Sequence, residues 1–90
     1  MTDIAHDPAS QRFTTEADGQ AGYLEYERAG DALVITHTIV PPAIGGRGIA
    51  GDLVLAALEH ARAQGLKVDP RCSYADAWMR KHREYEALRA

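Results

Sequence analysis

The chain has a single cysteine, Cys72, so no disulfide can form within it. None of its apolar runs reaches the roughly 18 residues that a membrane-spanning helix needs, which argues against a membrane protein. Lys and Arg number 10 against 13 Asp and Glu, with no basic block, and the formal charge of -3 disfavours general nucleic-acid binding. His60 has no neighbour at metal-ligand spacing, so it reads as a surface or internally satisfied histidine, and no metal site is expected. The first residues lack the apolar segment of a secretion signal, and a cytoplasmic location is expected.

What remains describes one globular domain over residues 1–90. Hydrophobic residues make up 46% and charged residues 26%, ordinary values for a protein with a core. A chain of this length buries somewhat over ~60% of its unfolded surface, so the core is modest. Residues 1–9 are polar and contain Pro8, and read as a loose tail. A strand is expected at residues 11–16, anchored by Phe13, with a turn at Asp18-Gly19. Residues 21–28 alternate, with Leu24 and Tyr26 on one face and Tyr23, Glu25 and Glu27 on the other. Ala29-Gly30-Asp31 closes a hairpin. Residues 32–40 put Leu33, Ile35, His37 and Ile39 on one face and Val34, Thr36, Thr38 and Val40 on the other, so this reads as a central strand covered on both sides.

A helix is expected from about residue 48 to 64, with Ile49, Leu53, Ala56, Ala57 and Ala61 at helical spacing and Gly65 ending it. Residues 66–69 then form a short strand parallel to 32–40, because a helix crosses between the two. Ser73 and Asp76 have the spacing of a capping box for a second helix, which carries Ala75, Trp78, Met79 and His82 on one stripe and runs on through Leu88. The expected fold class is α+β: a mixed sheet of about four strands, antiparallel hairpins followed by a parallel pair, with two helices.

The chemistry concentrates in residues 41–51, Pro-Pro-Ala-Ile-Gly-Gly-Arg-Gly-Ile-Ala-Gly, which hold four of the eight glycines. Glycine lets another molecule approach the backbone, and the unpaired N–H groups of a starting helix attract anions, phosphate above all. Arg47 adds forked donors that suit phosphate oxygens. A bare glycine turn before an ordinary helix is the plainer alternative. Gly46, Gly48 and Gly51 also spell the dinucleotide fingerprint G-x-G-x-x-G, with Asp69 placed like a ribose-binding acid. Its context is wrong, however: Pro41 and Pro42 interrupt the chain before the motif, and too little chain follows for a second nucleotide-binding half. A G-K-[ST] phosphate loop is missing.

From Gly45 to Ala50 the stretch resembles the [Q/R]-x-x-G-x-[G/A] signature of the GNAT superfamily of acetyl-coenzyme A-dependent acyltransferases. Gly48 and Ala50 fall on its small positions, while Gly45 stands where the pattern prefers arginine or glutamine. The wider order His37-Thr38-Ile39-Val40-Pro41-Pro42, Gly46-Arg47-Gly48-Ile49-Ala50, Pro70-Arg71-Cys72-Ser73-Tyr74, then Trp78 and Lys81-His82, is similar to the short, single-domain GNAT-like N-acetyltransferase domain proteins. The likeness runs from about Tyr23 to Leu88. That branch usually shows proline after the histidine, where this chain has Arg83.

The resemblance implies a minimal GNAT-like fold that binds acetyl-coenzyme A. The pantetheine arm would pair with the backbone of Thr38, Ile39 and Val40, and the pyrophosphate would meet Gly45, Gly46, Arg47, Gly48, Ile49 and Ala50. A backbone N–H near Ile39 or Val40 would then polarise the thioester carbonyl. The implied activity is transfer of an acyl group to a primary amine of a protein or small molecule, and the acidic balance is compatible with a cationic acceptor. Direct transfer needs a base, for which His37, Glu25, Glu27 and His82 are candidates. Cys72 is the candidate nucleophile for a covalent route, activated by Arg71, a histidine or a helix N-terminus. A small buried cysteine with no catalytic part is the other reading. Tyr74 is placed to protonate the leaving thiolate or simply to pack. The second function class is an acyl-coenzyme A binding module with little or no transfer activity.

Overall fold

The computed structural model describes residues 3–90. Among these residues five strands form one sheet in chain order: β1 (Ala5–Asp7), β2 (Arg12–Ala17), β3 (Gln20–Ala29), β4 (Ala32–Ile39) and β5 (Lys67–Pro70). The first four are antiparallel neighbours, whereas β4 and β5 run parallel because α1 (Ile49–Gln64) carries the chain back between them. After β5 come α2 (Ser73–Lys81) and a 3-10 helix, Arg83–Leu88. The α+β class and the mixed sheet are as expected, with one strand more than four. No helix among the described residues is long and apolar enough to cross a membrane.

The added strand lies in the stretch expected to be a loose tail. His6 sits opposite Phe13 and stacks flat on its ring, centroids 4.2 Å apart, while the Thr15 hydroxyl donates to the Asp3 carbonyl at 2.6 Å. These partners come from β2, so nothing within the tail's own sequence announces the strand. Met1 and Thr2 of that tail lie outside the described residues.

One face of the sheet makes the core. Phe13, Leu24, Tyr26, Leu33, Ile35 and Val68 are buried there with Leu53, Val54, Ala57, Leu58 and Ala61 of α1 and with Ala75 and Met79 of α2. Burying a side chain of this size is worth about 1.5–3 kcal/mol, so this single layer carries most of the stability. The outer face is more polar: the Arg12 guanidinium lies 4.1 Å over the Tyr23 ring and 3.0 Å from the Glu25 carboxylate. Val34 on that face is only half-buried, so β4 is not covered equally on both sides as expected.

A bulge then changes the facing of β4. Glu25 lies opposite His37 but Tyr26 lies opposite Ile35, leaving Thr36 as the extra residue, its hydroxyl bonded to the Glu25 carbonyl at 3.1 Å. His37 and Ile39, expected on the face of Leu33 and Ile35, therefore pair with Glu25 and Tyr23 on the outer face. Thr38 turns inward opposite Leu24. Simple alternation fails here because the inserted residue adds a half-period.

Gly65 ends α1 as expected, with positive φ and its N–H on the Ala61 and Arg62 carbonyls, and Leu66 N–H also reaches Ala61 at 2.8 Å. The start of α2 differs from the capping box expected of Ser73 and Asp76. Cys72 is the N-cap, Ser73 is already helical, and the Asp76 carboxylate is taken by Arg89 at 2.7 Å and Arg80 at 3.3 Å. The helix also stops at Lys81 rather than continuing to Leu88. His82 leaves helical geometry, donates from Nδ1 to the Trp78 carbonyl at 2.8 Å and stacks on the indole with centroids 3.6 Å apart. The following 3-10 helix brings Tyr85 back to α1, its hydroxyl on Glu59 at 2.6 Å.

Candidate active site

The site begins where two strands part. β4 and β5 are in register from Ala32 opposite Lys67 to Ile35 opposite Pro70. Proline has no N–H to extend the ladder, and the Arg71 N–H turns back to the Asp69 carbonyl at 3.1 Å. A bond of 2.9 Å from the Cys72 N–H to the Ile35 carbonyl still ties the start of α2 to β4. Beyond it β4 runs on through residues 36–39, paired with β3 on one side and without a β5 partner on the other, since β5 ends at Pro70; this open edge is the fork. In the fork the Cys72 thiol donates to the Thr38 hydroxyl at 3.5 Å. The bulge at Thr36 makes this contact possible, because it is what turns Thr38 inward.

The glycine loop follows β4 and leads into α1. Pro42–Ile44 form one 3-10 turn, and Ile44, fully buried, pins it to the core. Gly45 follows in extended geometry, where an added Cβ would lie 3.3 Å from the Pro42 carbonyl oxygen. That crowding gives a physical reason for glycine at this position. Gly46 and Gly48 have φ of 78° and 80°, with open space where a side chain would start. Gly48 is the N-cap of α1, and its carbonyl accepts from the Asp52 N–H at 3.0 Å. A glycine cap offers no side chain to the leading N–H groups of Ile49, Ala50 and Gly51, which the helix itself leaves without acceptors. The Arg47 guanidinium lies beside them in sequence but is held by the Asp18 carboxylate at 2.6 Å.

Gly51 has a different task from the one its place in a glycine fingerprint suggests. An added Cβ would sit 3.0 Å from Trp78 Nε1 and 3.4 Å from the Tyr74 hydroxyl, so α2 packs against α1 across this residue. Tyr74 is 42% exposed beside the fork. Burial first, then the nearby Asp52 carboxylate, push its phenol above the ordinary 10.0, so it keeps its proton at neutral pH.

The structure thus brings Thr38 and Cys72 together and sets Gly45, Gly46, Gly48, Ile49 and Ala50 along one loop and helix start. It does not bring His37 to Cys72: His37 is exposed on the outer face opposite Glu25. Two residues have roles that their positions in sequence do not reveal, Asp18 on Arg47 and the Thr38 side chain on Cys72. Each depends on a fold contact between distant segments, with no local signal.

Residues 12–88 match the sequence profile of the GCN5-related N-acetyl-transferases. The chain belongs to this family. Among its relatives are Protein NATD1 of Gallus gallus and of Homo sapiens, each 34% identical over 82 residues and matched over 88% of this chain and 74% and 73% of theirs. The NMR structure of a GCN5-like putative N-acetyltransferase from Staphylococcus aureus superposes with a TM-score of 0.77 at 26% identity, covering 98% of this chain and 87% of that one. The mixed sheet with its helices is therefore that of the GCN5-related N-acetyltransferase fold. The residues present suit a coenzyme carrying a pyrophosphate: an uncapped helix start, two positive-φ glycines with free space around them, and an arginine between.

Proposed function

We propose that the protein is an acetyl-coenzyme A-dependent N-acyltransferase acting on a primary amine of a protein or small molecule. The observation that carries this reading is the uncapped start of α1 behind Gly46-Arg47-Gly48, packed through Gly51 against Tyr74 and Trp78 of α2, the helix that begins at Cys72. The N–H groups of Ile49 and Ala50, with Arg47, are the proposed hold on the pyrophosphate. The backbone of Thr38, Ile39 and Val40, beyond the last β5 pairing, is the proposed hold on the pantetheine amides. Acetyl-coenzyme A supplies an activated acetyl thioester when bound.

Two routes remain for the chain's own residues. In the covalent one, the Cys72 sulfur bonds to the acetyl carbon and its proton leaves with the departing thiol. The amine nitrogen then takes the acetyl group, the bond to Cys72 breaks, and the proton lost by the nitrogen returns to the sulfur. In the direct one, a base such as His37, Glu25, Glu27 or His82 removes the amine proton, through water where the side chain is distant. In this direct route Tyr74, which retains its proton, is suited to protonate the departing thiolate.

Calorimetric titration with coenzyme A, acetyl-coenzyme A and NAD, followed by labelled acetyl transfer to an amine panel, tests the proposal. Binding of both coenzyme forms without NAD, and acetylation of an amine, is the expected result. Tight NAD binding with no response to coenzyme A would reject it. Coenzyme binding with no transfer to any amine would favour the binding module.

A further inference from the structure

The cation of the proposed phosphate loop already has an anion. Asp18, in the two-residue turn between β2 and β3, holds Arg47 through Oδ2 at 2.6 Å, although both side chains stay open to solvent at 68% and 48% exposed. We infer that Asp18 is an internal competitor for the anion site: its carboxylate occupies the guanidinium that a pyrophosphate would use and thereby limits how tightly the coenzyme is held. This rests on the reading of residues 45–50 as the phosphate loop.

The turn itself does not need the charge. Asp18 and Gly19 both have positive φ, 51° and 73°, and Ala17 pairs with Gln20, the pattern of a type I′ hairpin turn. Asn-Gly and Gly-Gly satisfy that geometry as well as Asp-Gly does. The partner that distinguishes a carboxylate from an amide here is Arg47. Around Arg47, meanwhile, the loop has the features that favour an incoming anion: Gly46 and Gly48 leave free space, and the start of α1 has no capping side chain. An arriving pyrophosphate must displace the Asp18 carboxylate or share the guanidinium with it. Displacement costs an ion pair, and sharing brings like charges close, so each outcome lowers affinity.

Solvent screens both side chains, which keeps the effect small. Exposed ion pairs of this kind correspond to a change of about two- to fivefold in binding. The test is a double-mutant cycle on the full chain, Asp18→Asn, Arg47→Gln and both together, read by calorimetric titration with coenzyme A. Asp18→Asn should bind coenzyme A about two- to fivefold more tightly than the parent at low salt, with the gain shrinking as salt is added. In the Arg47→Gln background the same change should give a clearly smaller gain, because the residue through which Asp18 acts is gone. Asp18→Gly, also suited to the turn, serves as the second variant and should behave like Asp18→Asn.

Unchanged or weaker binding in both Asp18 variants would overturn the inference, as would an equal gain with and without Arg47. A parent protein with no affinity for coenzyme A would overturn the phosphate-loop reading and this inference with it. A parent that binds, with Asp18 variants that bind no better, would overturn this inference alone.

Discussion

The Cys72 thiol, at the N-cap of α2, donates to the Thr38 hydroxyl on β4 at 3.5 Å and so bridges the two arms of the fork. The Thr38 hydroxyl fixes the direction in which the sulfur points. Incubation with acetyl-coenzyme A should add one acetyl mass to the protein, removable by hydroxylamine, if transfer runs through Cys72. Cys72→Ala should then lose the adduct and the turnover while binding coenzyme A nearly as the parent does, since the loop of residues 45–50 is untouched. Persistent turnover in that variant would leave direct attack as the route.

Gly48 tests the other end of the site. Its φ of 80° lies in the left-handed region, where a side chain is strained by about 1–2 kcal/mol. Gly48→Val must either carry that strain or move the start of α1, and in both cases it fills the open space where the proposed pyrophosphate would sit. Coenzyme A affinity should fall by about tenfold or more, with the far-ultraviolet spectrum of the fold retained. A folded variant binding like the parent would move the phosphate site elsewhere.

Much of this architecture was legible because its signals are local. The alternation of residues 21–28, the apolar spacing of α1 and the stop at Gly65 each follow from a period or a single residue's backbone preference. The glycine loop was legible for the same reason. What was hidden depends on partners remote in sequence. The strand at His6 exists because Phe13 and Tyr26 meet it, and the inward turn of Thr38 exists because Thr36 is extra against Glu25. Likewise the Ser73 capping box fails because Arg89, far along the chain, takes the Asp76 carboxylate. The distance between His37 and the fork's inner face has the same origin, since the bulge decides it.

Gly51 predicts how tightly the two helices are locked. The indole whose Nε1 would lie 3.0 Å from a Cβ at this position is stacked on His82 and leans on Tyr85, so its room to retreat is limited. Gly51→Leu gains helix propensity of about 0.8 kcal/mol, but overpacking costs about 1–3 kcal/mol. The balance should be destabilising, lowering Tm by up to roughly 10–15 °C for a domain of this size. Thermal unfolding followed by circular dichroism measures it, and a raised Tm would mean that Trp78 yields freely.

The last prediction concerns acid and the first strand. His6 is stacked on Phe13 of β2, hydrogen-bonded to the Tyr26 hydroxyl of β3 and edge-on to His60 of α1 at 4.5 Å, with Asp7 beside it on β1. Burial chiefly, and then His60, hold its imidazole below the ordinary 6.5, while Asp7 pulls the other way. The unfolded chain therefore binds a proton at His6 more readily than the folded one does. Stability from this group is full above about pH 6.5 and drains away as pH falls through the lowered folded value. The carboxylates of Asp76 and Glu86, held below their usual range by Arg89, lose their share only at more acid pH, so the two windows are separable. His6→Asn should flatten the fall of Tm that begins below about pH 6.5 while leaving the steeper acid limb in place. Hydrogen exchange at Ala5–Asp7 should show the same dependence, faster below pH 6 in the parent and insensitive in the variant once the intrinsic pH effect is removed. An equal slope in both proteins would show that β1 is held by its ladder alone.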